Sequence, residues 1–488
     1  MRVMRYLVIA VLLLLATGLL VFGPRANADR PKDRVVVSYW EKWTGNEAEQ
    51  MKEIVNDFNA TVGKEKGIYV EYLSMSNINQ KTLVATAAGV PPDIAGLWDA
   101  QVAQFAAIDA LEPLDDLARE HGIGEGYYKR VYWEACHYNG KLWALISTPA
   151  AVALHYNKRI FQENAAALRK AGLDPDGVPK TVEELDRYAE ALDKLDARGR
   201  VDVAGYLPME PGWFLVHTPY WFGGQLFDAE AQKFTADSPE SVRAFTWVQS
   251  YSKRLGKDSM TEFRSGLGGF NSAQNAFLVG QVVMEQQGPW MANYIEDLAP
   301  KMNRRAFPKE QEKGMSVEER RRNYEWAAAP FPSAVPGLEK VTYTGFDVLV
   351  IPRGARHRKE AFEFIAYVNR QDVMEKLCAL HCKNSPLTEV SEKFLREHPN
   401  PYIGVFEELA ASPNAKPVPP VPIWPEVNEE MNNTIQQIYL LEKEPEPALR
   451  EAQARLTEKW ERFQALQRAR GSTGVVAPGE GNGSEVRR

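Results

Sequence analysis

Between residues 34 and 98, β-branched runs alternate with amphipathic helical stretches, and this alternation restricts the fold more than any other feature of the chain. Arg34-Val-Val-Val-Ser-Tyr-Trp40 reads as a strand. Asn46 is placed as the cap of the next helix, with Glu49 completing a capping box. Met51, Ile54, Val55, Phe58 and Val62 recur at helical spacing and predict its buried face. Lys66-Gly67 ends that helix, and 68–73 reads as a second strand, 81–88 as a helix and 93–98 as a third strand. Strands joined by helices pair in parallel, because the crossover returns the chain to the same edge. The expected class is therefore α/β. At 488 residues the chain exceeds one ordinary core, so two units are expected.

The second unit is placed from near residue 150. Residues 151–156 read as a strand, and Thr181 caps a helix with Glu184 in a capping box and Leu185, Tyr188, Leu192 and Leu195 inward. Residues 271–295 read as a helix through Ala273, Ala276 and Phe277, a stop at Gly280, a strand at 282–284, and Gly288-Pro289-Trp290 opening another helix. A large aromatic at such a strand-to-helix junction can serve as a stacking platform. A strand at 345–351 and a helix burying Ala361, Phe364, Ile365 and Val368 follow. The proline-rich stretch 413–425 is expected to hold Trp424 in an extended segment. From 427 to 463 the pattern is helical, interrupted at Pro445 and Pro447, and 471–488 is expected to be a disordered tail.

At the N-terminus, Arg2 and Arg5 precede an apolar run at 6–22 and the small-x-small site Ala26-Asn27-Ala28. Cleavage before Asp29 is expected, with an uncleaved anchor as the alternative. Losing Arg2, Arg5 and Arg25 takes the net charge from −7 to −10, and everything beyond Asp29 is expected outside the cytoplasm. An acidic chain lacks the basic footprint nucleic acid requires. The run Arg320-Arg321-Arg322, preceded by Glu318-Glu319, reads as a solvated helix end. Cys136, Cys378 and Cys382 are expected to be buried thiols or to hold one bridge; His381 beside the latter pair lacks the further ligands of a zinc site. No metal or cofactor is expected.

Four segments carry a resemblance. They are Trp40-Glu-Lys-Trp43-Thr-Gly; Ala88-Gly-Val-Pro-Pro-Asp93 through Trp98-Asp99 to Leu111-Glu-Pro-Leu-Asp115; Asn139-Gly-Lys-Leu-Trp143 with Tyr156-Asn157-Lys158; and the 271–295 block followed by Gly345-Phe-Asp-Val-Leu-Val-Ile-Pro352. In this order the chain, over about 34–466, resembles the family 1 extracellular solute-binding proteins of bacteria, the maltose-binding-protein-like group. The resemblance implies a two-lobed periplasmic-binding-protein fold of type II, monomeric, closing by hinge motion on a ligand held between lobes. It implies a signal peptide at 1–28, one lobe from 29–149 plus 331–386 and the other from 150–330 plus 387–470. The chain would cross between lobes near Ala150, Ala329 and Leu387. It also implies delivery of a sugar to the permease subunits of an ABC importer.

A sugar presents apolar C–H faces and a hydroxyl rim, so its site needs flat aromatics and carboxylates or amides. The candidates are Trp290, Trp424, Glu210, Trp213, Asp99, Trp43, Glu41, Asp347 and Tyr343. Asp99, Glu41 and Trp43 follow strands, at the edge where open α/β sheets place ligands. One departure matters: six residues before Tyr156 the maltose-binding proteins have a glutamate, but this chain has Ala150, so maltose is not assumed. A polyol, a quaternary amine held by cation–π contact, or an anchored sugar sensor are the alternatives. Glu210, Glu285 and Asp99 are carboxylates of the kind a glycosidase pairs, but no glycosidase, G-x-S-x-G or Walker motif surrounds them, and the chain reads as a binder, not an enzyme.

Overall fold

The computed structural model describes residues 30–304, 308–312 and 314–472. The N-terminal targeting segment and residues 473–488 of the expected tail lie outside them. β1 (Val35–Glu41) pairs in parallel with β2 (Ile68–Ser74) in unbroken register, and with β3 (Ile94–Trp98) on its other side. The crossovers are α1 (Gly45–Ala60) and α2 (Ile78–Ala87). Met51, Ile54, Val55 and Phe58 form the buried stripe of α1, and Phe58 meets Phe364 and Tyr367 edge-on, each at 5.2 Å. The cap is not Asn46: Thr44 stands at that position, and Asn46 Nδ2 instead donates to Asp297 Oδ2 at 2.8 Å. Its side chain is turned to a partner 251 residues away instead of to the first turn of its own helix.

β4 (Leu145–Ala151) and β5 (Ala153–Asn157) are separated by Val152 alone, yet belong to different sheets. The Val152 N–H reaches Thr342 Oγ1 at 2.9 Å and Tyr343 O at 3.0 Å, so the crossing is pinned to a second strand. The second unit continues through α3 (Val182–Leu192), β6 (Lys194–Leu195), β7 (Val201–Tyr206), α4 (Pro239–Leu255), β8 (Val282–Gln287), α5 (Met291–Leu298) and β9 (Trp326–Ala329). Its sheet runs β9–β5–β8–β7–β6, with β7 and β8 parallel and β5 antiparallel to its neighbours β8 and β9. Thr181 caps α3 as expected, accepting from Glu184 N–H at 3.2 Å. Leu195 does not face inward: α3 stops at Leu192, and Leu195 lies exposed on the edge strand β6. Ahead of β8 only a four-residue helix forms, Ala276–Val279, capped by Asn275 and closed by Gly280 at φ +80°.

The chain returns as β10 (Thr342–Val350), antiparallel to both β3 and β4. α6 (Arg358–Val368), α7 (Gln371–Leu380) and α8 (Ile403–Ala410) pack in the same hydrophobic core as these strands. β11 (Ala415–Lys416) then pairs with the start of β10, giving the order β11–β10–β3–β1–β2. The sequence reading has the last crossing near Leu387; residues 415–416 are still in the first sheet, and the chain leaves it only beyond Lys416. α9 (Trp424–Tyr439) and α10 (Pro445–Ser472) cover the second unit through Met431, Ile435, Leu449, Ala452, Leu456 and Trp460. Helix α10 thus also takes in residues 471–472, assigned from the sequence to the tail.

Arg320 is not part of a solvated helix end. It is buried, and its guanidinium donates to the carbonyls of His398 (2.9 Å), Pro399 and Arg396 (3.3 Å each). The three cysteines are free, buried thiols. Among the described residues no His/Cys/Asp/Glu group could hold a metal ion, and no helix is long and apolar enough to cross a membrane.

Candidate ligand cleft

The carboxyl ends of parallel strands gather the functional side chains. β1 runs out into Glu41-Lys42-Trp43 and β3 into Trp98-Asp99, while antiparallel β10 sets Asp347 directly opposite Trp98. Lys42 Nζ contacts Asp347 Oδ1 at 3.0 Å, Leu97 O at 3.1 Å and Glu41 Oε1 at 3.2 Å. Lys383 Nζ contacts Asp347 Oδ2 at 2.8 Å and Thr148 Oγ1 at 2.9 Å. Thr148 in turn donates to Asp347 Oδ2 at 3.0 Å. Burial would raise the Asp347 carboxyl, but the two ammonium groups outweigh it and hold the group well below the usual carboxylate range. Asp99 lies in the same cluster with the opposite outcome. Burial pushes its carboxyl up to about 8, Oδ1 accepts from Ala100 N–H at 2.9 Å, and buried Oδ2 has no hydrogen-bond partner. At neutral pH Asp99 is therefore mostly a carboxylic acid, able to donate. Glu41 is fully buried and accepts from Tyr39 O–H and Lys42 N–H. A Cβ on Gly96 would overlap its carboxylate, so glycine is what lets Glu41 lie against β3.

The second sheet contributes the opposite wall. β8 runs into Gly288-Pro289-Trp290, and the Trp290 ring folds over Gly288, where a Cβ would collide with it. The Lys383 ammonium lies 5.6 Å from the Trp43 ring centroid and 5.9 Å from that of Trp290. Lys42 lies 5.1 Å from the Trp43 ring and 5.2 Å from that of Trp98. Trp213 is half exposed and meets Phe270 edge-on at 4.5 Å; Phe270 is 4.6 Å from Tyr294 on α5. Glu210 follows β7, 3.5 Å from Arg264; burial raises its carboxyl more than Arg264 lowers it. Tyr343 stacks on His217 at 4.0 Å, and His217 faces Trp424 at 5.8 Å.

Residues 53–392 match the model of the bacterial extracellular solute-binding proteins. The chain belongs to that family. A putative binding protein of Brucella abortus is 21% identical over 90% of this chain and 96% of its own. The maltotriose-binding protein of Pyrococcus abyssi is 20% identical over 86% of this chain and 75% of its own. Among solved structures, CpMnBP1 with mannotriose bound superposes with a TM-score of 0.70 at 24% identity, covering 86% of this chain and 99% of that one. The sugar-binding protein MalE of Xanthomonas citri gives 0.68 at 20% identity, covering 90% and 100%. The fold of this solute-binding protein is the two-lobed type II periplasmic-binding-protein fold.

Within the solute-binding protein, Trp43, Asp99, Asp347 and Glu41 meet at one edge, and Lys383 links them to Trp290. Trp213 and Glu210 stand on the other sheet's side with Phe270 and Arg264. Two candidates take other positions. Glu41 is an anchor for Lys42, with no exposed surface of its own. Trp424 is 3% exposed at the start of α9, packed in the second core and backing His217 and Tyr343 rather than lining the cleft. Sequence reasoning missed Lys42, Lys383, Phe270 and Tyr294. Lys42 was within reach, flanked by two candidates; Lys383 carries no local signal, because its role comes from Asp347 on another strand.

Proposed function

We propose that the protein captures an uncharged carbohydrate of more than one ring between its lobes and delivers it to an ABC importer. The observation that carries this reading is the occupancy of the tryptophan faces. Lys42 sits over Trp43 and Trp98, and Lys383 over Trp43 and Trp290, both ion-paired to Asp347. A quaternary amine would meet two resident ammonium groups, so that alternative loses support. The lysine charges are matched by neighbouring carboxylates, which disfavours an anion. What is left for a ligand is aromatic surface that no lysine covers (Trp213, Phe270, Tyr294) and the exposed part of Trp290, with hydrogen-bonding groups beside them, the pairing a sugar requires. The mannotriose held by CpMnBP1 and the name of the maltotriose-binding relative support the same class.

In this reading the lobes are formed by residues 30–151 with 342–416 and by 153–304, 308–312 and 314–329 with 424–472, revising the boundaries read from the sequence. The first 28 residues act as an export signal and the mature chain works as a monomer outside the cytoplasm. The test is a thermal-shift screen of the chain from Asp29 with mono- and oligosaccharides, polyols, betaine-type amines and aryl glycosides. A ligand at about 100 times its dissociation constant adds about 2.7 kcal/mol. A shift with one oligosaccharide class and no turnover is expected; a shift with amines alone, or release of the aryl group, would overturn the reading.

A further inference from the structure

An ammonium group has three N–H donors. On Lys42 three acceptors are in place: Asp347, Leu97 O and Glu41. On Lys383 two are in place, Asp347 and Thr148, although its side chain is only 9% exposed. Its third N–H has no hydrogen-bond acceptor among the described residues. Glu47, on the first turn of α1, senses the Lys383 charge, but burial raises that carboxyl and no hydrogen bond joins the two. The flanks of the Lys383 ammonium are ring faces: Trp43 from the first sheet's edge and Trp290 from the second's. A buried ammonium with one N–H free of acceptors among the described residues, flanked by an aromatic ring from each lobe, is placed to donate to a ligand.

Resting on the carbohydrate reading above, we infer that Lys383 is a specificity-determining residue that donates its third N–H to an uncharged ligand oxygen seated between Trp43 and Trp290. Asp347 orients the ammonium and neutralises it, so Lys383 acts as a fixed donor rather than as a net charge. An ammonium accepts nothing, so the ligand oxygen it reads must be a hydroxyl that spends its own proton elsewhere, or a ring or glycosidic oxygen. Because the rings around it come from both lobes, this hydrogen bond is completed only in the closed form. Lys383 therefore couples recognition to closure.

The experiment is calorimetric titration of the mature wild-type chain, Lys383→Met, and the double variant Lys383→Met with Asp347→Asn. The probes are mannotriose, maltotriose, the carbohydrate that shifts the melting curve, forms of whichever binds with one oxygen at a time removed (each hydroxyl replaced by hydrogen, each ring or glycosidic oxygen by methylene), and sn-glycerol 3-phosphate. Losing a hydrogen bond from a charged donor is expected to weaken binding of the trisaccharide about 10- to 100-fold. The decisive readout is the deoxy series. In the wild type one deoxygenation carries a penalty that disappears in Lys383→Met, while the penalties at other positions persist. In Lys383→Met, Asp347 stays paired with Lys42 at 3.0 Å, and the double variant, in which Lys42 keeps Glu41 as its carboxylate, shows the same pattern if the single variant is unstable. Equal penalties at every position in wild type and variants would overturn the inference and leave the carbohydrate reading intact. Binding of no carbohydrate in the thermal-shift screen would overturn the carbohydrate reading itself, and tighter binding of sn-glycerol 3-phosphate than of any neutral sugar would show that Lys383 acts as a charge.

Discussion

Asp99 keeps its proton in the neutral range because burial raises its carboxyl to about 8 while Asp347 holds the nearby lysines. An acid whose folded pKa is raised binds a proton that the unfolded chain loses from about 4 upward. Its contribution to stability is therefore largest at low pH, declines as pH climbs from about 4 to about 8, and is flat beyond. Asp99→Asn should remove this part of the slope. Urea midpoints at pH 5 and pH 8 should differ less in the variant than in the wild type; an unchanged difference would place the proton elsewhere. At the same scale, Trp290→Ala should weaken sugar binding by about 2 kcal/mol, roughly thirtyfold, with the fold retained, since the ring stands over Gly288 at a helix start and is not in the core. Calorimetry with the ligand found by thermal shift checks this, alongside a melting curve.

α9 shows how an element can relocate a residue that looks functional. Trp424 comes out of a proline-rich stretch, which argues for a posed, accessible ring. Yet Pro425 sits in the first helical turn, where proline is tolerated, and the helix turns Trp424 into the second core. Trp424→Ala should thus cost about 3–5 kcal/mol of stability, as for other buried aromatics, and alter affinity mainly through Tyr343 and His217. A denaturation series reads this directly: a stable variant that merely binds less would return Trp424 to the cleft wall. β10 is the other decisive element. By running antiparallel between β3 and β4 it brings Asp347 level with Trp98 and supplies the counter-ion for two lysines far away in sequence.

Across the whole molecule the lobes share one apolar cluster, with Met291, Ile295 and Trp326 packed in the same core as Val348 and Phe406, and polar contacts cross beside it, Arg320 reaching the carbonyls of His398, Pro399 and Arg396. Asn46 on α1 reaches Asp297 on α5, and Asn293 on α5 donates to Leu380 O at 3.1 Å and accepts from Cys382. The Asn46–Asp297 contact is exposed, so it is worth about 0.5–1.5 kcal/mol. Asn46→Ala touches no ligand candidate, yet it should lower apparent affinity a few-fold by shifting the unliganded population toward the open form. Small-angle scattering should show a larger radius of gyration for the unliganded variant and equal radii when saturated; identical unliganded radii would dismiss the contact as a closure element.

Local periodicity was enough to read the alternation of strands and helices, the inward face of α1, and the aromatic after β8. Each of these depends on residues a few positions apart, and side-chain spacing of two or 3.6 is written directly in the chain. The ion-pair network, the protonation of Asp99, the burial of Trp424 and Arg320, and the late crossing after β11 were not legible. They depend on which strands become neighbours, and burial and counter-ions are properties of that packing rather than of any segment. Val152 and Thr342, 190 residues apart, join where the chain changes sheets, and there the tertiary structure alone decided how two locally legible units make one cleft.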